Sequence, residues 1–84
     1  MPEISRFYGI VVKMFFIQNE HNPPHLHAIY GDYIGTINIK TLEIIEGDLP
    51  YKAVALLTEW IQIHQDELLE IWQTQEFKKI PPLV

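Results

Sequence analysis

Residues 25–39, HLHAIYGDYIGTINI, decide the fold of this chain. Gly31 and Asp32 are the kind of two-residue connection that favours a tight hairpin between two short strands. Residues 25–30 predict one of these strands, and residues 33–39 predict the other because their apolar side chains alternate. We therefore expect an antiparallel hairpin in the middle of the chain.

Strand patterns flank this hairpin on both sides. Residues 5–17 are rich in β-branched and aromatic side chains at consecutive positions, which predicts one long first strand with both faces covered. A polar, proline-bearing loop follows at residues 18–24, and residues 42–45 predict a short fourth strand. The sequence thus predicts a three- to four-stranded antiparallel sheet, a β-meander, over residues 4–46.

The second half of the chain predicts one long C-terminal helix, residues 49–74, packed on one face of that sheet. Side chains of its apolar stripe recur at intervals of three and four residues: Ala53, Leu57, Trp60, His64, Leu68, Ile71 and Trp72. Asp48 has the side chain of a helix N-cap. The fold class is therefore α+β, with one domain over residues 1–84.

The predicted helix is longer than the sheet is wide, at about 35 Å for a rise of roughly 1.5 Å per residue. Its last turns would then pack on another chain, as in a homodimer, or be covered by the tail, residues 75–84. In the second arrangement Phe77, Ile80 and Leu83 fold back over Trp72. We favour the folded-back tail.

Composition narrows the class of protein. The chain has 84 residues and no cysteine, which fits a reducing cytoplasm. Neither a signal peptide nor an apolar run near the roughly 20 residues of a membrane span is present, so we expect a cytoplasmic protein with no membrane segment. The net charge of −5 disfavours nonspecific binding to nucleic acids.

Residues 20–28, EHNPPHLHA, carry the strongest chemical signal, because they hold three of the four histidines. On a strand, His25 and His27 point to the same face. With His21 or His64 as a third ligand, the pair would bind zinc or a similar metal. No third ligand is fixed by the local sequence, so the presence and identity of a metal stay open.

The same two imidazoles also suit proton transfer, since histidine titrates near neutral pH. Cleavage of RNA would need a cation beside them, and Arg6 and Lys13 are available on the first strand. In a purely structural alternative, the histidines hold loop carbonyls and His64 belongs to the core. These alternatives leave open whether the protein is an enzyme.

Several stretches together resemble a known family. Residues 4–10, ISRFYGI, residues 22–28, NPPHLHA, and the later Trp60, His64 and Trp72 are similar to the bacterial domain of unknown function 4160. The resemblance covers nearly the whole chain, and the family brings no established catalytic residues. It implies a small bacterial protein encoded beside a member of domain of unknown function 2442, in a pair similar to toxin–antitoxin modules. In such a pair this chain would be the toxin.

Three hypotheses follow. In the first, the chain is a toxin-like component that acts on RNA or the translation machinery through His25, His27 and Arg6, and its neighbour neutralises it. In the second, it is a non-enzymatic protein-interaction module, and in the third it binds a metal through His25 and His27.

Overall fold

The computed structural model describes residues 3–15 and 23–84. Its elements are, in chain order, β1 (Glu3–Phe7), β2 (Ile10–Lys13), β3 (His25–Tyr30), β4 (Tyr33–Asn38), β5 (Ile44–Gly47) and α1 (Tyr51–Thr74). The strands form one antiparallel sheet in the order β1-β2-β3-β4-β5. The α+β class, the meander and the C-terminal helix are confirmed, although the sheet has five strands and not three or four.

The additional strand comes from a hairpin that divides the predicted first strand. Phe7 pairs with Ile10, and the two residues between them, Tyr8 and Gly9, have φ angles of 49° and 82°. Two successive positive φ angles match a type I′ turn, whose twist suits a two-residue hairpin. The prediction of one continuous strand over residues 5–17 is therefore wrong. Residues 16–22, which include the end of that strand and most of the loop, lie outside the described ranges.

The core lies on one face of the sheet, under α1. Fully or almost fully buried apolar side chains come from the sheet, the helix and the tail: Ile4, Phe7, Ile10, Val12, Met14, Leu26, Ala28, Ile37, Ile39, Ala53, Leu57, Trp60, Ile61, Leu68, Ile71 and Ile80. On β3, Leu26 and Ala28 are buried, whereas His25 and His27, which alternate with them, are only half-buried. Because successive side chains of a strand point to opposite faces, the histidines lie on the sheet face away from this core.

α1 begins later than predicted. Its N-cap is Pro50, in extended conformation, with no side-chain hydrogen bond, so the prediction of Asp48 as N-cap is wrong. A break in the helical backbone occurs at His64, whose φ and ψ are −113° and 19°. The helix ends at Gln75, in left-handed conformation, where the backbone N–H donates to the carbonyl of Ile71 at 2.8 Å. Within the described ranges no helix has the length and apolarity needed to cross a membrane.

The C-terminal tail folds back onto the core at β1 and Trp60, and its predicted contact with Trp72 stays a prediction. The N–H of Ile80 donates to the carbonyl of Ile4 on β1 at 2.8 Å, and Nε1 of Trp60 donates to the carbonyl of Pro81 at 2.8 Å. Phe77 and Leu83 pack against the buried cluster. The tail therefore lies along β1, at one edge of the sheet.

Candidate functional site

The sheet face away from the buried core, called here the open face, carries a transverse row of polar side chains. Strand pairing places Lys13 of β2 across from His27 of β3, His27 across from Thr36 of β4, and Thr36 across from Glu46 of β5. Directly opposed residues of neighbouring strands share a face, with Cβ atoms about 4.5–5.5 Å apart. His25 precedes His27 by two residues and lies on the same face. The register therefore gathers on one surface residues that are far apart in the sequence.

His25 and His27, called here the histidine pair, have ring centroids 5.2 Å apart at an interplanar angle of 72°. The ring of Trp72, near the end of α1, lies 4.8 Å from that of His25. The ring of Phe15 lies 4.1 Å from that of His27. The predicted same-face arrangement is confirmed, and each imidazole has an additional aromatic neighbour that restricts its orientation.

A backbone carbonyl determines which nitrogen of His25 carries a proton. Nδ1 of His25 lies 2.8 Å from the carbonyl oxygen of Pro23. A carbonyl oxygen only accepts, so Nδ1 donates, and Nε2 has a free lone pair when the ring is neutral. The carbonyl of the next residue, Pro24, accepts from the N–H of Ile39 at 2.9 Å and ties this segment to the end of β4. Both prolines thus hold the approach to the histidine pair.

His27 is held in the neutral form. Burial is the main cause that lowers its pKa below the usual 6.5, the neighbouring His25 lowers it further, and the carboxylate of Glu46 opposes both. Near pH 7 the ring is therefore mostly unprotonated and can accept a proton. Its Nδ1 lies 3.5 Å from Oγ1 of Thr36, a weak contact that orients the ring.

A shallow cleft of about 210 Å³ opens beside the histidine pair, lined by Pro23, His25, His27, Thr36, Ile45 and Glu46. The far wall depends on a β-bulge in β5. Ile44 pairs with Ile37 of β4 and Glu46 with Thr36, so Ile45 has no partner of its own. A bulge breaks the alternation of side chains, and here both Ile45 and Glu46 line the cleft. No local signal in the sequence points to Thr36, Ile45 or Glu46, because only the strand register brings them to the histidine pair.

Arg6, the cation predicted for the site, is engaged elsewhere. It lies on β1, two strands away from β3, and its Nη2 lies 2.8 Å from Oε1 of Glu3. Lys79 of the tail lies 3.4 Å from the other oxygen of that carboxylate. These partners, Arg6 first, lower the pKa of Glu3. The structure thus does not bring Arg6 to the histidine pair, and it places Lys13 directly across from His27.

His64 also lies apart from the histidine pair. Its ring is 5.4 Å from that of Trp60, and its Nδ1 lies 3.1 Å from Oε1 of Glu67. His21 is outside the described residues. In residues 3–15 and 23–84 no group of three or more side chains that could hold a metal ion is found. The described structure therefore offers two imidazoles, and not three ligands, at the cleft.

Comparison with known proteins identifies one family. The family model described as Domain of unknown function (DUF4160) matches residues 9–73, a range that includes the histidine pair, β2 to β5 and nearly all of α1. No curated protein and no solved structure matches the chain.

Proposed function

For this chain, which belongs to the domain of unknown function 4160 family, we propose that the histidine pair is an acid–base site that cleaves RNA. In this proposal the protein is the toxin-like component of a toxin–antitoxin-type pair in the cytoplasm, and a partner protein encoded nearby, similar to domain of unknown function 2442, neutralises it. One observation supports the proposal most. Two oriented imidazoles lie 5.2 Å apart at the edge of a cleft, and burial keeps one of them neutral.

The two rings suit opposite roles in one reaction. Neutral His27 accepts the proton of a ribose 2′-hydroxyl, and the 2′-oxygen attacks the adjacent phosphorus. The bond from phosphorus to the 5′-oxygen breaks, and His25, in its protonated form, donates the Nε2 proton to that leaving oxygen. The products are a 2′,3′-cyclic phosphate and a 5′-hydroxyl. Within the described residues, no hydrogen-bond partner occupies Nε2 of either ring.

Lys13 supplies the positive charge that this reaction needs. Its place across from His27 puts an ammonium group on the open face, where it can stabilise the negative charge that grows on the phosphate. The chain as a whole carries a net charge of −5, so general attraction to nucleic acid is absent. We therefore expect weak binding of RNA, with turnover that depends on a few local contacts and falls only modestly as salt rises, because few phosphate charges are neutralised.

Cleavage of a short single-stranded RNA by the purified, untagged protein tests the proposal. We expect His25→Ala and His27→Ala each to reduce the rate at least about 100-fold, in line with the usual contribution of a general acid or base. His64→Ala, at a histidine outside the pair, is the matched control and should retain activity. A substrate with a single 2′-deoxyribose at the cleaved position should be inert.

Two results would refute this function. The first is cleavage that survives the double substitution His25→Ala/His27→Ala, and the second is the absence of cleavage by folded protein on any single-stranded RNA. Cleavage that a chelator abolishes and zinc restores would support the metal-binding alternative instead. The toxin role is tested separately by the growth of cells in which this gene is induced, with and without the neighbouring gene.

The interaction module remains a second candidate because the open face exposes apolar side chains. Ile34 is 60% exposed and Ile45 is 49% exposed, on neighbouring strands next to the cleft. Such a surface suits contact with another protein and does not require catalysis.

A further inference from the structure

We infer that the outer edge of β5 binds a basic β-strand of a partner protein, and that the bound strand covers the histidine cleft. Binding of a strand at the β5 edge does not depend on the proposed function. The consequence of covering the cleft rests on that function, because it neutralises the protein only if the histidine pair is the active site.

The two edges of the sheet differ in how they are protected. At the β1 edge, the tail supplies a backbone hydrogen bond from Ile80 to Ile4. At the other edge, β5 is the last strand, and no strand of residues 3–15 or 23–84 pairs with its outer side. Its outward backbone N–H and C=O groups are therefore available to a further strand, the mode of recognition in which a peptide extends a sheet.

The charge around β5 favours a basic strand as the segment that binds at this edge. Glu43, Glu46 and Asp48 are exposed in and beside β5, whereas the nearest basic residues along the chain, Lys40 and Lys52, lie outside this strand. A second copy of the chain, paired through its own β5, would place these acids against one another, which is destabilising for directly opposed strands. A strand with lysine or arginine on the same face would pair with Glu46, and its apolar side chains would contact Ile45. A basic segment of a different protein is thus favoured over self-association.

Closure of the cleft follows from the bulge. Ile45 and Glu46 belong to the edge strand and also line the cleft beside His27. A strand added to β5 lies about 4.7–4.9 Å away in the hydrogen-bonding direction, so its side chains on the open face adjoin these two residues. A long basic side chain directed to Glu46 lies across the mouth of the cleft and within reach of the histidine pair.

A synthetic strand tests the edge directly. The probe is a fluorescein-labelled nine-residue peptide of alternating lysine and valine, with blocked ends, titrated with the full chain and followed by fluorescence anisotropy. We expect saturable binding. A peptide with glutamate in place of lysine should bind at least tenfold more weakly. A lysine peptide that is N-methylated at consecutive central residues should be weakened as much, because N-methylation at successive residues blocks backbone pairing on both edges of the peptide strand.

Variants of the chain locate the site. Glu46→Lys should weaken binding of the lysine peptide at least tenfold, whereas Glu59→Lys, the same change on the exposed side of α1, should leave it nearly unchanged. Equal binding of the N-methylated peptide, or equal effects of the two substitutions, would overturn the edge assignment. Light scattering of the chain alone gives a further test. If it shows a dimer that the peptide dissociates, the natural occupant of the β5 edge is a second copy, and the assignment to a different protein is overturned.

Closure has its own readout, which does not depend on cleavage. Saturation with the lysine peptide should shift the imidazole NMR signals of His27 and leave those of His64 in place. Binding at β5 with no change at His27 would refute closure. If the chain proves inactive on RNA but binds the peptide and shows these shifts, the proposed function fails and the edge inference stands.

Discussion

Replacement of Gly47 by alanine tests the geometry of the cleft wall. Gly47 has a φ of +98°, a region that residues with side chains rarely adopt. A Cβ atom there would overlap the carbonyl oxygen of Ile34 and lie 2.6 Å from Cα of Gly35. Both atoms belong to the backbone of β4, so they cannot move unless the pairing of β4 with β5 opens.

The expected loss is large for a chain of this size. Strain at a disfavoured φ costs about 1–3 kcal/mol, and the overlap adds the cost of disturbing the ladder, so we expect a loss of about 3 kcal/mol or more. Because 84 residues correspond to a total stability of roughly 4–12 kcal/mol, this is a substantial fraction of the free energy of unfolding.

Gly35→Ala is the matched control, on the paired strand. The added Cβ would lie 2.7 Å from Cγ and 2.8 Å from Cδ1 of Leu49, whose side chain can rotate away, so we expect a loss of about 1–3 kcal/mol. Urea unfolding followed by circular dichroism measures both variants, and Leu49→Ala should remove much of the cost of Gly35→Ala. A loss below about 1 kcal/mol for Gly47→Ala would refute the register of β5, and with it the placement of Ile45 and Glu46 at the cleft.

Three further predictions concern the site and its support. An NMR titration should give His27 a pKa below 6.5. That pKa should rise in His25→Ala and fall further in Glu46→Gln, and opposite shifts would contradict the effects assigned to His25 and Glu46. Because unfolded His27 binds a proton more readily than folded His27, this residue makes stability fall as the pH drops below about 6.5. The His27→Gln variant should therefore lose less stability on acidification than the unchanged protein, which paired urea curves at pH 7 and pH 5 would show. Trp60→Phe leaves the carbonyl of Pro81 without its donor and should cost about 1–3 kcal/mol in urea unfolding, and an unchanged midpoint would contradict the docking of the tail.

Local chemistry was sufficient to predict the central hairpin. The Gly31–Asp32 connection and the alternation that follows it placed β3 and β4 correctly, because both signals lie within a few residues of one another. The hairpin between β1 and β2 was missed for the opposite reason. Tyr8 occupies a position with φ of 49°, where glycine or asparagine is usual, so an aromatic residue hid the turn within an apolar run.

The histidine pair could be predicted only in part. That His25 and His27 share a face follows from the period of a strand, and the structure shows it. Their neighbours depend on register between strands, which the sequence does not specify over such separations. Register brings Lys13 to His27 and, through the bulge, brings Ile45 and Glu46 to the cleft, whereas Arg6 is engaged locally by Glu3 on its own strand.

Glu46 is the residue at which the chemistry of the site and the recognition of a partner meet. Its carboxylate raises the pKa of His27, and it also lies on the edge that we assign to a basic strand. A cation of the partner beside Glu46 would offset that carboxylate and drive the pKa of His27 lower, so binding should alter the protonation of the site as well as cover it. Glu43 separates the two effects, because it is exposed next to the same strand but does not line the cleft. Glu43→Gln should weaken the lysine peptide without moving the pKa of His27, whereas Glu46→Gln should do both. If the two variants behave alike in the titration, the carboxylate of Glu46 does not act on His27, and the proposed link between partner binding and protonation fails.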